Sequence, residues 1–354
     1  MVTSVGRTYA DSCASIRAGF VRPSPISDYE LLDPETQDLV PLIGYPVPVC
    51  AGGFDMVGRW LMIGAEAMRD LIRNISKHET VAADFWRNTL LIGVSPRLDA
   101  GRLQTANDED PGKLVGSYLN PMCRQLDLPI PPQNVRSLAV GRTGLYAAIQ
   151  HGRTELEEGR ARRVVVLAVD SLLDSLSLEW LDSLGRLKSD VNPTGLVPAE
   201  AGVAICLDLA STKTEQPELA VIEKTSSRNE VDEFFATAPR IGVPFSTVLG
   251  EVTDSTGDQP FMGPIVCDLN GETWRAFEFS NARLRQSTLV TDQTSIEIPA
   301  VSTGDTGAAS AALGLAYGIS ALGRFRGAYE RFIVASSSEF GPVGAARVTR
   351  PQHN

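Results

Sequence analysis

Histidine is scarce in this chain of 354 residues, only three in all, at His78, His151 and His353. His78 lies in a polar helical stretch, His151 at mid-helix and His353 in the tail, so each reads as structural or exposed rather than catalytic. The cysteines, Cys13, Cys50, Cys123, Cys206 and Cys267, stand singly, without the close pairs that metal or redox motifs use. A reducing cytoplasm is expected, with neither metal nor cofactor. Positive charge is also short: Lys and Arg number 32 against 43 Asp and Glu, a net charge of −11. Nucleic acid and anionic membrane surfaces are thereby excluded as partners, because binding them needs a cationic surplus. Long apolar runs are missing. The first twenty residues carry Arg7, Asp11 and Arg17, so no signal peptide is expected there. The uncharged stretch Thr306–Gly323 is mostly Ala, Gly and Ser, which is too weakly apolar for a bilayer and reads as a buried helix packed closely between neighbours. Phosphate-binding Gly-x-x-x-x-Gly-Lys and Gly-x-Gly-x-x-Gly loops and the Gly-x-Ser-x-Gly elbow are absent as well.

What is present is an ordinary globular composition, 43% hydrophobic and 21% charged, with 31 Gly and 22 Pro for turns, and enough chain for roughly two domains. One pattern occurs twice. An apolar run, Val135–Val140, meets Gly141-Arg-Thr-Gly144 and then a helical stretch, Leu145–Glu158, stopped by Gly159. A second run, Ile296–Val301, meets Gly304-Asp-Thr-Gly307 and a helical stretch from Ala308 to near Gly323, with the two Gly-x-Thr-Gly segments 163 residues apart. Each unit is followed by a basic turn and a buried-looking strand, Val164–Ala168 or Phe332–Ala335. Each is preceded by another apolar run, Leu90–Val94 or Pro264–Cys267. Strands apolar on both faces, alternating with helices of this length, indicate mainly parallel sheets covered by helices. The expected architecture is two similar α/β halves, residues 1–212 and 213–354, joined by the connector Ser211–Pro217.

The order of these segments resembles the β-ketoacyl synthases of the thiolase superfamily, over most of the chain. Asp170-Ser-Leu-Leu173, then Gly185-Arg-Leu-Lys188 and Gly195–Gly202 before the strand Val203–Leu207, match the run that carries Gly-Phe-x-x-Gly-Glu-Gly in that family. Asp268–Glu272 stands at its His-Gly-Thr loop, Gly304–Ser310 at its third catalytic loop, and Phe340-Gly341 at its C-terminal turn. The resemblance implies a duplicated five-layer α-β-α-β-α fold, with the helices after Gly141 and Gly304 in the middle layer. It also implies dimerisation through the edge strand Val135–Val140, with a second copy or a related subunit, and an acyl carrier protein as a further partner. The basic clusters Arg160–Arg163 and Arg324–Arg331 suit such docking, but they follow helices and read more simply as macrodipole partners.

Condensation in that family needs a thiolate at a helix N-terminus and two histidines, or a histidine and an asparagine, around the enolate and oxyanion. Alignment on Thr143-Gly144-Leu145 puts Gly141 at the nucleophile position, while counting back from Gly159 puts Arg142 there. Asn270 and Asp305 stand at the other two. Arg142 and Asp305 are expected either to pair across the pseudo-twofold axis, or to part, with Asp305 capping its own helix and Arg142 facing solvent or a partner. Thr143, Ser171, Ser302 and Ser336–Ser338 lie near strand ends without a histidine or lysine at readable spacing. The function expected is that of a ketosynthase-like partner or assembly subunit without condensing activity. The alternative is an acyltransferase or 3-oxoacyl synthase that uses an unrecognised nucleophile.

Overall fold

The computed structural model describes residues 1–33, 36–47, 52–76, 83–97, 102, 116–210, 218–229, 239–253, 260–322 and 329–351. Cys50, His78, His353, the connector with its boundary at 212/213, Gly323, Arg324 and Arg326 lie outside the described residues. In chain order the helices are α1 (Tyr9–Arg17), α2 (Met56–Ser76), α3 (Ala83–Arg87), α4 (Leu119–Gln125), α5 (Gly144–Glu157), α6 (Ser175–Ser183), α7 (Val243–Thr253), α8 (Thr273–Arg285), α9 (Ala300–Thr303) and α10 (Ser310–Leu322). Strands β1 (Ser24–Leu32) and β2 (Leu39–Gly44) form an antiparallel hairpin. Strands β3 (Thr89–Val94), β4 (Val135–Leu138), β5 (Arg163–Ser171) and β6 (Glu200–Leu207) make one sheet in the order β4-β3-β5-β6. A second sheet, in the order β9-β8-β10-β11-β7, holds β7 (Val221–Asn229), β8 (Ile265–Cys267), β9 (Ile296–Glu297), β10 (Arg331–Ser337) and β11 (Pro342–Thr349).

The two sheets repeat one another. β4-β3-β5 and β9-β8-β10 are parallel, and β6 and β11 then pair antiparallel to β5 and β10. The apolar runs of both repeats thus pair in parallel, as expected, and the added β6 and β11 make the sheets mixed. For β10 and β11 the reason is local, since a turn as short as 338–341 can join only antiparallel neighbours. The run Ile296–Val301 also departs from expectation: Pro299 lacks an N–H for a ladder, the strand stops at Glu297, and Ala300–Thr303 turns into a short helix. Gly159, at φ +70°, ends α5 as expected, with Gly159 N–H on Leu156 O and Arg160 N–H on Glu155 O closing a Schellman turn.

Alternation along β5 explains why its sequence is apolar throughout. Val164, Val166 and Ala168 join the cluster around α5 and α10, while Val165, Leu167 and Val169 join the one beneath α2 and α4. Phe332 and Val334 of β10 face the same middle cluster, and Ile333 and Ala335 face α7 and α8. The layers thus run α2 and α4, first sheet, α5 and α10, second sheet, α7 and α8. This is the thiolase-like five-layer fold, with β4 and β9 in separate sheets.

α10 fits the middle layer because its residues are small. A Cβ on Gly318 would lie 2.2 Å from Phe332 Cε2, and one on Gly314 would lie 3.2 Å from Val334 Cγ2. Among the described residues no helix is long and apolar enough to cross a membrane. Gly318→Leu is expected to force α10 off β10 and cost about 3 kcal/mol, read as a lower urea midpoint.

Candidate functional site

Both repeat units place a glycine-led turn at the N-terminus of a middle-layer helix. After β4 the chain makes a 3₁₀ turn, Gly141–Thr143, directly into α5, with Gly141 at φ +70° and its N–H on Ser95 O at 3.1 Å. After β9 and α9 it passes Gly304, also at φ +70°, and a second 3₁₀ turn, Gly307–Ala309, into α10. Asp305 is fixed by backbone bonds to the other half, its N–H on Val197 O at 2.8 Å and its carbonyl accepting Ala199 N–H at 3.0 Å.

Between these helix starts Arg142 and Asp305 form a bidentate pair, Nη1 to Oδ1 at 2.5 Å and Nη2 to Oδ2 at 2.7 Å, with both side chains buried. Asp305 also accepts Gly307 N–H at 2.9 Å, so it pairs and caps at once. Asn270 Nδ2 donates to Asp305 Oδ2 at 2.6 Å and to Glu272 Oε2 at 2.8 Å. Arg142 Nε reaches Glu339 Oε2 at 3.0 Å. Arg186 binds Glu272 through two bonds, at 2.7 and 2.9 Å, and Glu339 Oε1 at 3.2 Å. Arg275 binds Asp268 at 3.2 Å. On the neighbouring side Asp170 accepts Ala308 N–H at 2.8 Å and Arg102 Nη2 at 2.9 Å, so the α10 N-terminus is occupied by carboxylates of this chain.

Three guanidiniums, of Arg142, Arg186 and Arg275, thus face four carboxyls, of Asp268, Glu272, Asp305 and Glu339. Burial alone would push every one of these carboxyls up. Arg142 outweighs it at Asp305, with help from Arg275 and Asn270, and holds that carboxyl down to about 2. Arg142, Arg186 and Arg275 together hold Glu339 well below the usual carboxylate range. Asp268 goes the other way, raised by burial against the pull of Arg275 and Arg142.

Of the residues the sequence singled out, Arg142, Asn270 and Asp305 are brought into direct contact, and Gly141 lines the small cavity left beside them. That cavity is about 20 Å³, room for one water. Sequence reasoning missed Glu272 and Glu339, and with them Arg186 and Arg275. Glu272 follows Asn270 by two residues and Glu339 precedes Phe340, but Glu339 meets its arginines across 197 and 153 residues, and no spacing signals that. Among the described residues no group of His, Cys, Asp and Glu is placed to hold a metal ion. His151 is half-buried on α5.

Arg142→Ala leaves Asp305 and Glu339 buried without their main counter-ion, and a loss of about 3–5 kcal/mol is expected at pH 7. The folded pKa of Asp305 is depressed, so its contribution is present above the ordinary 3.8 and lost as pH falls toward 2. The gap between wild type and Arg142→Ala in urea titrations is therefore expected to narrow over that window.

At the level of sequence neither a protein-family profile nor a curated protein matches the chain. Solved structures do match. The ishigamide ketosynthase/chain length factor is 19% identical with a TM-score of 0.69, covering 99% of this chain and 97% of that one. A type II polyketide ketosynthase, solved with its acyl carrier protein and bound to a hexaketide, is 13% identical with a TM-score of 0.74 and the same coverage. A β-ketoacyl synthase from Burkholderia phymatum is 13% identical with a TM-score of 0.72, again covering 99% and 97%. With the repeated sheets and paired middle helices, these matches assign the chain to the thiolase-like fold of the ketosynthases.

Proposed function

We propose that this chain is a ketosynthase-like subunit without condensing activity, working as the partner of a related subunit. Arg142 is the observation that carries the reading. On it, Gly141 and Arg142 stand at the nucleophile position, Asn270 at that of the first histidine, and Asp305 at that of the second histidine or asparagine. Glycine offers no nucleophile, and a guanidinium bound to two carboxylates stays protonated. Asp305, ionised at neutral pH, would put negative charge where an oxyanion must form, and one lost oxyanion donor alone costs about 3 kcal/mol.

The alternative nucleophiles gain no support. Burial pushes the Cys267 thiol up to about 12 and the Cys123 thiol up to about 11, far from a thiolate at neutral pH. Ser171 Oγ donates to Glu200 at 2.8 Å, and Ser336 Oγ to Tyr146 Oη at 2.8 Å. The ishigamide neighbour is a ketosynthase/chain length factor, which fits a role beside an active subunit, and the carrier-protein complex among the neighbours makes an acyl carrier protein a further partner on this reading.

Intact-mass analysis after incubation with acyl and malonyl thioesters is expected to show no covalent adduct, and product analysis no carbon–carbon bond formation. Gly141→Cys is expected to stay inactive too, since the cysteine would sit at φ +70° beside an unchanged Arg142–Asp305 pair. Gly141→Cys with Asn270→His and Asp305→His is the least change worth testing, and turnover by the unmodified chain would overturn the reading.

The partner surface on this reading is β4. It is an edge strand whose Arg136 and Ser137 are exposed, and its outer ladder is open among the described residues. Sedimentation is expected to give twice the mass of the chain, alone or with a copurified related subunit. A monomer at micromolar concentration would count against it.

A further inference from the structure

Glu339 is the one carboxylate in the network approached by three guanidiniums. Arg142 Nε donates to its Oε2 at 3.0 Å, Arg186 Nη1 to its Oε1 at 3.2 Å, and Arg275 Nη2 lies 3.7 Å from Oε2. Ser338 Oγ adds a longer bond to Oε2 at 3.4 Å. The arginines come from three separate places, the α5 entry, the segment after α6, and α8, whereas Glu339 rides on the turn between β10 and β11. That turn is pinned by Ser338 N–H on Pro342 O at 2.8 Å and Gly341 N–H on Ser338 O at 3.1 Å. Arg275 is fully buried; its Nε lies 3.6 Å from Glu272 Oε2, and its Nη2, without a hydrogen bond, faces Glu339 as a donor that this carboxylate leaves unsatisfied. The 20 Å³ cavity borders Glu339 and Arg142, and its lining extends to half-buried Arg97.

We propose that Arg142, Arg186 and Arg275 form a receptor for a small carboxylate, occupied in this chain by its own Glu339 side chain as a tethered ligand. The inference rests on the reading above, in which this site admits no substrate, and names both what fills it and the ligand class it holds out. Planar guanidiniums match a carboxylate in geometry as well as charge, so the receptor should recognise the group and not merely its charge. The tether gives Glu339 a high effective concentration, which keeps free carboxylates out of the wild type.

Shortening the tether tests this. Glu339→Ala removes a fragment with the heavy atoms of acetate, and Glu339→Gly removes one with those of propionate. The thermal midpoint of Glu339→Ala is expected to rise saturably with millimolar sodium acetate and much less with sodium chloride at equal ionic strength. Wild type and Glu339→Gln, whose side chains fill the space, should show no acetate-specific rise. Glu339→Gly should respond more strongly to propionate than to acetate. If Glu339→Ala does not fold unaided, refolding from urea gives the same information: recovery in acetate but not chloride supports the receptor, and equal recovery or none in both overturns it. Equal midpoint rises in the two salts, or an equal acetate response by wild type, also overturn it. The thioester assay on the wild type is independent, so either idea can fail alone.

Discussion

A permanent cation sits at Arg142 in the middle layer of the molecule, buried to 4% exposure. Taking a guanidinium out of water costs several kcal/mol, recovered only when its donors are met in good geometry. Here they are met by Asp305 in two bonds and by Glu339 in a third. Both carboxylates belong to the second repeat, one on the turn into α10 and the other between β10 and β11. The arginine is therefore tolerable only when the two sheets are stacked with α5 and α10 side by side, and the same stacking sets Arg186 against Glu272. A shift of one half by an ångström would break both bidentate pairs together, so the network fixes the register of the halves as much as it stabilises them.

The same charges fill the space between the two middle-layer helix starts. Helix N-termini attract anions because their first N–H groups lack partners. At α10 those groups are taken by Asp170 and Asp305, and at the start of α5 the arginine side chain fills the space. Electrostatics and packing act together here, since removing one charge would leave the others buried and unpaired without opening a channel.

Packing in the middle layer obeys a second constraint. α10 must lie against β10 and carry the turn that holds Asp305, and glycine and alanine allow that approach. Gly307 shows it at the site itself, where a Cβ would fall 2.0 Å from Asp170 Oδ2, so the bond from Asp170 to Ala308 N–H requires a residue without a side chain there.

The repeated order of run, glycine turn and helix sufficed to read the duplication, the buried small-residue helix and the matching turns that carry Arg142 and Asp305, because periodicity and turn chemistry are local properties; Asn270 came only from the resemblance to the ketosynthases. Local signals also erred locally: apolar content suggested a strand through Val301, but Pro299 ends it, and the antiparallel pairing of β6 and β11 went unread because an apolar strand reads the same in either orientation. The choice between an Arg142–Asp305 pair and two separate roles was open in the sequence, and so were Glu339 and Glu272 as partners. Those depend on side chains 86 to 197 residues apart meeting at one depth between two sheets, and burial is what makes the pairing compulsory. The sequence by itself determined which groups carry charge and where the chain turns; the stacking of the halves decided which charges face each other, because a buried ion has to find its counter-ion wherever the fold has put one.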